Sequence, residues 1–262
     1  MTQEKMNADQ ELDVRRQDGV LWLTICREER RNALSPGVLQ GLCEAFAQAA
    51  QDRSLRAIVL TGAGDKAFCA GADLQTGKSF KFDYSEPSQG LADLLRLARA
   101  THVPKIARIN GACMAGGMGL MAMCDMAVAA SHARFGLPEV KVGVFPAQVL
   151  SVLQGLMGRR LLTELCVTGE SIDAHQALAC GLVNDVGDDL DARLQQLLAR
   201  VLDKSPAAIR RGLYLMKQIE AMPFEQSMAF TESQIGLFAL TEDAAEGQLA
   251  FREKRQPRWT GR

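Results

Sequence analysis

From residue 11 to about residue 187, strand-like and helix-like runs alternate through short glycine-bearing links, which constrains the fold more than any other feature of the chain. Residues 11–17 and 20–26 alternate apolar and polar side chains around Asp18-Gly19, a pair suited to a hairpin turn that needs positive φ. Ser35-Pro36 is a helix start, and Val38, Leu39, Leu42, Ala45, Phe46 and Ala49 follow at helical spacing. Arg56–Thr61 (RAIVLT) has the run of a buried strand and ends at Gly62-Ala63-Gly64. A helix near 89–101 precedes a strand at 105–109 and the glycine-rich stretch 111–119. A short helix near 116–123 then leads into a strand at 125–130. Such a succession predicts an α/β fold with a parallel-rich core.

After about residue 187 the glycines and strand-like runs give way to helical periodicity through 189–204, 206–220, 223–240 and 242–255. Two parts are therefore expected: a core over 1–187 and a helical region over 188–262. The segment Thr76–Gly90 is polar and breaker-rich, with Phe80, Phe82 and Tyr84 interleaved. It reads either as a surface loop or as a lid over an apolar ligand.

Bulk properties exclude several function classes. A formal net charge of -1 supplies no electrostatic footprint for nucleic acid or for an anionic membrane. The N-terminal MTQEKMNADQ lacks the apolar stretch of a secretory signal, and no apolar run approaches the roughly 20 residues of a membrane span. The 7 cysteines are scattered without a C-x-x-C pair, so no metal site is expected. Several sit in apolar segments, which points to reduced core thiols and a cytoplasmic location.

Two segments carry the chemistry. In Lys66–Leu74 (KAFCAGADL), the small residues Ala70, Gly71 and Ala72 let a ligand approach the backbone, and Asp73 is placed to cap a helix or hold the loop. In Asn110–Asp125 (NGACMAGGMGLMAMCD), Gly116, Gly117 and Gly119 fall at the start of a helix, where each glycine costs about 1 kcal/mol against alanine. Three within four positions imply close backbone packing or a ligand, and the free N–H groups of a helix start suit a developing oxyanion. No Gly-Lys-Ser/Thr follows, as a phosphate-binding loop requires. The spacing also differs from the dinucleotide fingerprint. Asp125, after an apolar helix, reads as structural.

Together these segments resemble the crotonase superfamily, the enoyl-CoA hydratase/isomerase family. Arg30–Leu34 (RRNAL) is similar to that family's first CoA-contact loop, FCAGADL to its first oxyanion-hole motif and NGACMAGGMGLMAMCD to its second. Phe135–Gly143 (FGLPEVKVG) resembles the segment bearing an acid/base glutamate, GLVNDV (181–186) a later strand, and GQLAFREKRQPRW (247–259) the terminal helix. The resemblance implies a spiral of ββα units with a C-terminal region that assembles trimers, often paired as hexamers. It assigns the oxyanion donors to the N–H groups of Ala72 and Gly116, and the proton carrier to Glu139. It also implies that an acyl-CoA thioester lies along Arg30, Arg31, Ala33, Ala70, Asp73, Leu74 and Gly119, with Phe251 and Lys254 near the nucleotide, and that no cofactor is needed beyond the CoA of the substrate. Residues 252–262 carry Arg252, Lys254, Arg255, Arg258 and Arg262 against Glu253 alone, which reads either as a phosphate-binding patch or as a solvated helix end.

The chain departs from the family pattern at Gly119, where hydratases usually carry the first of two carboxylates; the second, Glu139, is present. Hydrating a 2-enoyl thioester takes a positioned water at Cβ and a proton for Cα, whereas moving a 3-enoyl double bond takes one base. Hydration is expected first, isomerisation next, and a non-catalytic acyl-CoA-binding or scaffold role as the rival from another class. Phe145–Leu150 (FPAQVL) replaces a glycine-rich turn, and Gln148 in it is a candidate to hold a water. With no Asp or Glu between 140 and 150, a nucleophilic aspartate of the dehalogenase type is disfavoured.

Overall fold

The Asp18-Gly19 turn does what its residues demand. With φ of 50° and 78°, it folds β1 (Leu12–Gln17) antiparallel onto β2 (Val20–Ile25), Leu12 opposite Ile25. In the computed structural model, residues 11–73, 85 and 90–262 are described; Leu74 and nearly all of the Thr76–Gly90 segment lie outside them. Ser35 caps α1 (Pro36–Gln51) through a bond from the Val38 N–H, and the helix buries Val38, Leu42, Ala45, Phe46 and Ala49, the stripe its spacing predicts.

The next strands come in pairs, β3 (Ala57–Gly62) with β4 (Ala67–Cys69), followed by α2 (Gly90–Ala100). β5 (Lys105–Ile109) and β6 (Ala112–Met114) precede α3 (Gly116–Ala122). β7 (Met126–Ala130) and β8 (Arg134–Gly136) precede α4 (Ala147–Leu153) and α5 (Arg159–Thr168). β9 (Ser171–Asp173), α6 (Ala174–Ala179) and β10 (Asp185–Gly187) complete the layers. Within each pair the first strand joins a six-stranded sheet, β1-β2-β3-β5-β7-β10, and the second joins a four-stranded sheet, β4-β6-β8-β9. Successive units pair in parallel in both sheets, so each ββα unit advances one strand along two sheets at once. That advance is the spiral.

Side-chain alternation on β3 explains its continuous burial. Ile58 and Leu60 enter the main core with Phe46, Leu94 and Ile109, while Ala57 and Val59 face a second cluster with Leu190, Leu194 and Leu198. Those leucines come from α7 (Leu190–Leu202), so the first helix beyond residue 187 covers the sheet's outer face. Each fully buried leucine of this kind contributes about 1.5–3 kcal/mol.

α8 (Pro206–Ile219), α9 (Phe224–Ala239) and α10 (Glu242–Glu253) pack on one another at the C-terminus. Arginine forks tie them back. Arg56 donates to the carbonyls of Leu202 (2.7 Å) and Lys204 (2.8 Å), and Arg210 to those of Asp52 (2.9 Å) and Leu55 (2.6 Å). Asp125 is structural, as expected: its carboxylate accepts from the Lys105 N–H at 2.9 Å and pairs with the buried Lys105 ammonium at 2.8 Å. Large apolar side chains on these helices, including Met216, Phe224, Ile235, Leu240 and Phe251, face solvent. Among the described residues no helix is long and apolar enough to cross a membrane.

Candidate active site

Three neighbouring parallel strands, β4, β6 and β8, end together, and the chain beyond each end supplies one part of the site. Ligands of open parallel sheets gather outside such carboxyl ends. After β4, Gly71 turns with φ +94°, and Leu34 forms a parallel bridge with Ala72. The Leu34 N–H donates to the Gly71 carbonyl at 2.8 Å, and the Asp73 N–H donates to the Leu34 carbonyl at 3.1 Å. Both flanking residues turn their polar groups toward Leu34, so strand alternation turns the Ala72 N–H the other way. It has no backbone partner among the described residues.

After β6, the Ala115 N–H donates to the Gly136 carbonyl at 3.0 Å, and Ala115 then adopts φ 51°, ψ −121°. This is a strained conformation for a residue with a side chain. It delivers Gly116 to the first position of α3, where an N–H has no intrahelical partner. The two turns touch. A Cβ built on Gly116 lies 3.6 Å from the Gly71 Cα and 3.9 Å from the Ala72 N; one built on Gly71 lies 3.2 Å from the Gly116 N. Gly117 has a different purpose: a Cβ there meets the Cys69 carbonyl oxygen at 2.3 Å, so glycine lets α3 lie directly on β4.

After β8, Leu137 is fully buried, and Glu139 lies in the 3-10 segment Pro138–Val142, which Gly143 closes with φ +81°. Its Oε2 is buried without a hydrogen-bond partner among the described residues. Burial pushes the carboxyl above its ordinary range, and a bond from its own backbone N–H opposes the shift without cancelling it. A half-buried, partly desolvated carboxyl with an open oxygen is suited to carrying a proton.

The sequence model of the enoyl-CoA hydratase/isomerase family matches residues 15–262. The chain belongs to that family. It is 36% identical over 255 residues to the 2,3-dehydroadipyl-CoA hydratase of Escherichia coli (strain K12), covering 96% of this chain and 99% of the relative. It is 32% identical over 238 residues to the crotonyl-CoA hydratase of Syntrophomonas wolfei, covering 89% and 92%. Among solved structures, the enoyl-CoA hydratase of Mycobacterium smegmatis superposes with a TM-score of 0.87 at 35% identity over 95% of this chain and 98% of that one. That of Bacillus anthracis gives 0.89 at 28% identity over 97% and 100%. The protein is therefore an enzyme of the crotonase superfamily, with its α/β spiral.

Within this hydratase/isomerase framework the other expected site residues take different places. Arg30 and Arg31 are exposed; Ala33 is buried and Ala70 half-buried, and the Ala70 N–H donates to the Arg31 carbonyl at 3.0 Å. Asp73 is buried and paired with Arg27 at 2.8 Å, so its carboxylate is engaged inside the protein. Leu74 lies outside the described residues. Gly119 is packed against α4: a Cβ there meets Val149 Cγ2 at 3.2 Å, so Val149 closes on the position where hydratases usually carry a carboxylate. Gln148, the candidate water holder, is half-buried on the same short helix.

At the C-terminus Phe251 is exposed, and Lys254 caps α10 with φ 55°. Arg255 pairs with Glu246 and with Glu253, each at 2.6 Å, which leaves the basic tail less positive than its own eleven residues imply. Glu246 lies six residues before that window, and its bond with the Arg255 cation holds its carboxyl down to about 2.

Sequence reasoning missed Asn32 and Arg27. Asn32 is wholly buried with φ 54°; its amide donates to the carbonyls of Ala63 (3.0 Å) and Ala67 (2.7 Å) and accepts from the Arg27 N–H (3.0 Å). Its place inside the RRNAL motif was the available signal. Arg27 carried none.

Proposed function

We propose that this enzyme acts on an acyl-CoA thioester through an enolate held by the N–H groups of Ala72 and Gly116, with Glu139 carrying the proton at Cα. The observation that supports it is the meeting of two turns whose amides have no backbone partner among the described residues, together with a carboxyl after the neighbouring strand β8 whose Oε2 is desolvated. A thioester oxygen about 2.7–3.1 Å from both donors would gain most as it becomes anionic, because fixed dipoles need no reorganisation.

The named relatives favour hydration of a 2-enoyl-CoA: the water oxygen adds to Cβ, Glu139 delivers its proton to Cα, and the proton that the water loses returns to the Glu139 carboxylate. One observation favours a second reading, isomerisation of a 3-enoyl-CoA to the 2-enoyl-CoA. Gly119 bears no carboxylate and Val149 packs against it, so Glu139 alone would take a proton from C2 and return it to C4. Subunits would associate through the exposed apolar side chains of α8–α10 as a trimer or a pair of trimers in the cytoplasm, and the tail around Phe251 and Lys254 would meet the nucleotide.

Turnover of 2-enoyl- and 3-enoyl-CoA by the purified enzyme separates the two reactions. Glu139→Gln is expected to lower turnover by about 10²–10⁴-fold while CoA-ester binding persists. Binding of both esters with turnover of neither would leave an acyl-CoA-binding protein and refute the catalytic reading.

A further inference from the structure

Arg27, two residues past β2, has every nitrogen of its guanidinium assigned. Nε pairs with Glu11 at 2.7 Å, Nη1 donates to the Ala33 carbonyl at 2.6 Å, and Nη2 donates to Asp73 at 2.8 Å. Ala33 and Asp73 each adjoin one half of the Leu34–Ala72 bridge, so a single planar fork holds both of its strands. The pair is sheltered, with Arg27 at 11% and Asp73 at 8% side-chain exposure. Behind it, Asn32 ties the same loop to the turn between β3 and β4, and Arg31 and Asn32 adopt left-handed φ values of 51° and 54° in succession. Two residues with side chains in that region persist only where the surroundings over-determine them.

We propose that Arg27 is a positioning residue for the Ala72 oxyanion donor: its guanidinium clasps both strands of the Leu34–Ala72 bridge and so fixes the direction of that N–H. This deepens, and rests on, the assignment of Ala72 and Gly116 as thioester donors. Arg27 acts through geometry more than through field, because its own charge is matched by the carboxylates of Glu11 and Asp73. A lysine cannot substitute: one ammonium cannot span three acceptors that diverge from a planar fork. Losing Arg27 alone has a second effect, since it removes the ion pair of the Asp73 anion with that guanidinium next to the turn where negative charge would develop. The double replacement Arg27→Met with Asp73→Leu removes clasp and anion together and keeps apolar volume in their place.

The test reads the donor without needing turnover. A 2,4-dienoyl-CoA thioester absorbs at longer wavelength when its carbonyl is polarised, so its bound spectrum reports on the two amides. The wild-type enzyme is expected to shift it to the red. Arg27→Lys and the double variant are expected to bind the ester but lose most of the shift. Their kcat should fall about tenfold to a hundredfold with KM little changed, the scale of a misplacement near 1 Å. Asp73→Asn, which keeps an acceptor for Nη2, should recover part of both. A merely structural pair would lower Tm while shift and kcat per folded molecule stayed at wild-type values, and that result overturns the clasp. A wild-type enzyme that binds the dienoyl ester with no shift overturns the donor assignment itself, and this inference with it.

Discussion

Gly71→Ala tests the contact between the two turns most directly. Gly71 sits at φ +94°, where a residue with a side chain pays about 1–2 kcal/mol. Its new Cβ would lie 2.7 Å from the Ala115 Cβ, against about 3.5–4.0 Å for an ordinary carbon–carbon contact, so the turns must part by about 1 Å. Neither side yields cheaply. Gly71 is held by the Leu34 bridge, and Ala115 by its bond to Gly136. A displacement near 1 Å at a catalytic pair costs about 10² in rate, and forced packing adds about 1–3 kcal/mol of destabilisation. The assay is kcat and KM for 2-enoyl- and 3-enoyl-CoA, measured well below the variant's own Tm, with chemical denaturation in parallel. Gly212→Ala is the control, because a Cβ there meets nothing within 4 Å and lies inside α8. It should leave turnover alone and stabilise the helix by about 0.5–1 kcal/mol. A Gly71→Ala enzyme with undiminished kcat would falsify the convergence of the two turns on the reacting carbonyl.

Glu139 predicts two pH dependences. Its folded pKa is raised above the ordinary 4.5, so the stability it contributes is present below that value and lost as pH rises through the folded pKa. Glu139→Gln should therefore raise Tm near neutral pH, with the gain vanishing below pH 4.5; an unchanged Tm at both ends refutes the burial argument. In the isomerisation of a 3-enoyl-CoA, where Glu139 acts as a base, it must first lose its proton, so the acid limb of kcat/KM for that substrate should lie above the usual carboxylate range and disappear if another group carries the proton. Gly119→Glu alone should not restore efficient hydration, because its Cβ meets Val149 at 3.2 Å. Gly119→Glu with Val149→Ala makes room, and its 2-enoyl-CoA hydration rate should exceed that of either single variant. Asp125→Ala strands the Lys105 ammonium, which is 1% exposed and has the carbonyls of Thr101 and Val103 as its remaining acceptors among the described residues. Urea denaturation should register a loss of about 3–5 kcal/mol, and a loss well under that refutes an essential ion pair.

What could be read in the chain and what could not divides by the range of the interactions. The Asp18-Gly19 hairpin, the Ser35 cap and the apolar stripe of α1 are decided by neighbours within a few residues, and each appears where its pattern places it. The helices of 190–253 follow for the same reason. By contrast β4, β6, β8 and β9 are three residues each, too short for alternation to register, and exist because they pair with one another across dozens of positions. The second sheet was therefore invisible to periodicity, although it is the layer that presents the site. The glycines were legible as a group but not by purpose. Gly117 is demanded by a carbonyl at 2.3 Å and Gly71 by its φ, whereas a Cβ on Gly119 would sit 3.2 Å from a valine of α4, a helix too short for periodicity to reveal. Arg27 is the extreme case: an arginine among 30 cations in the chain, given its meaning only by three acceptors at positions 11, 33 and 73. In the proposed clasp the placement of a backbone N–H depends on a side chain, Arg27, that lies in no motif. A substitution at such a position would alter the site without touching any residue a pattern would mark.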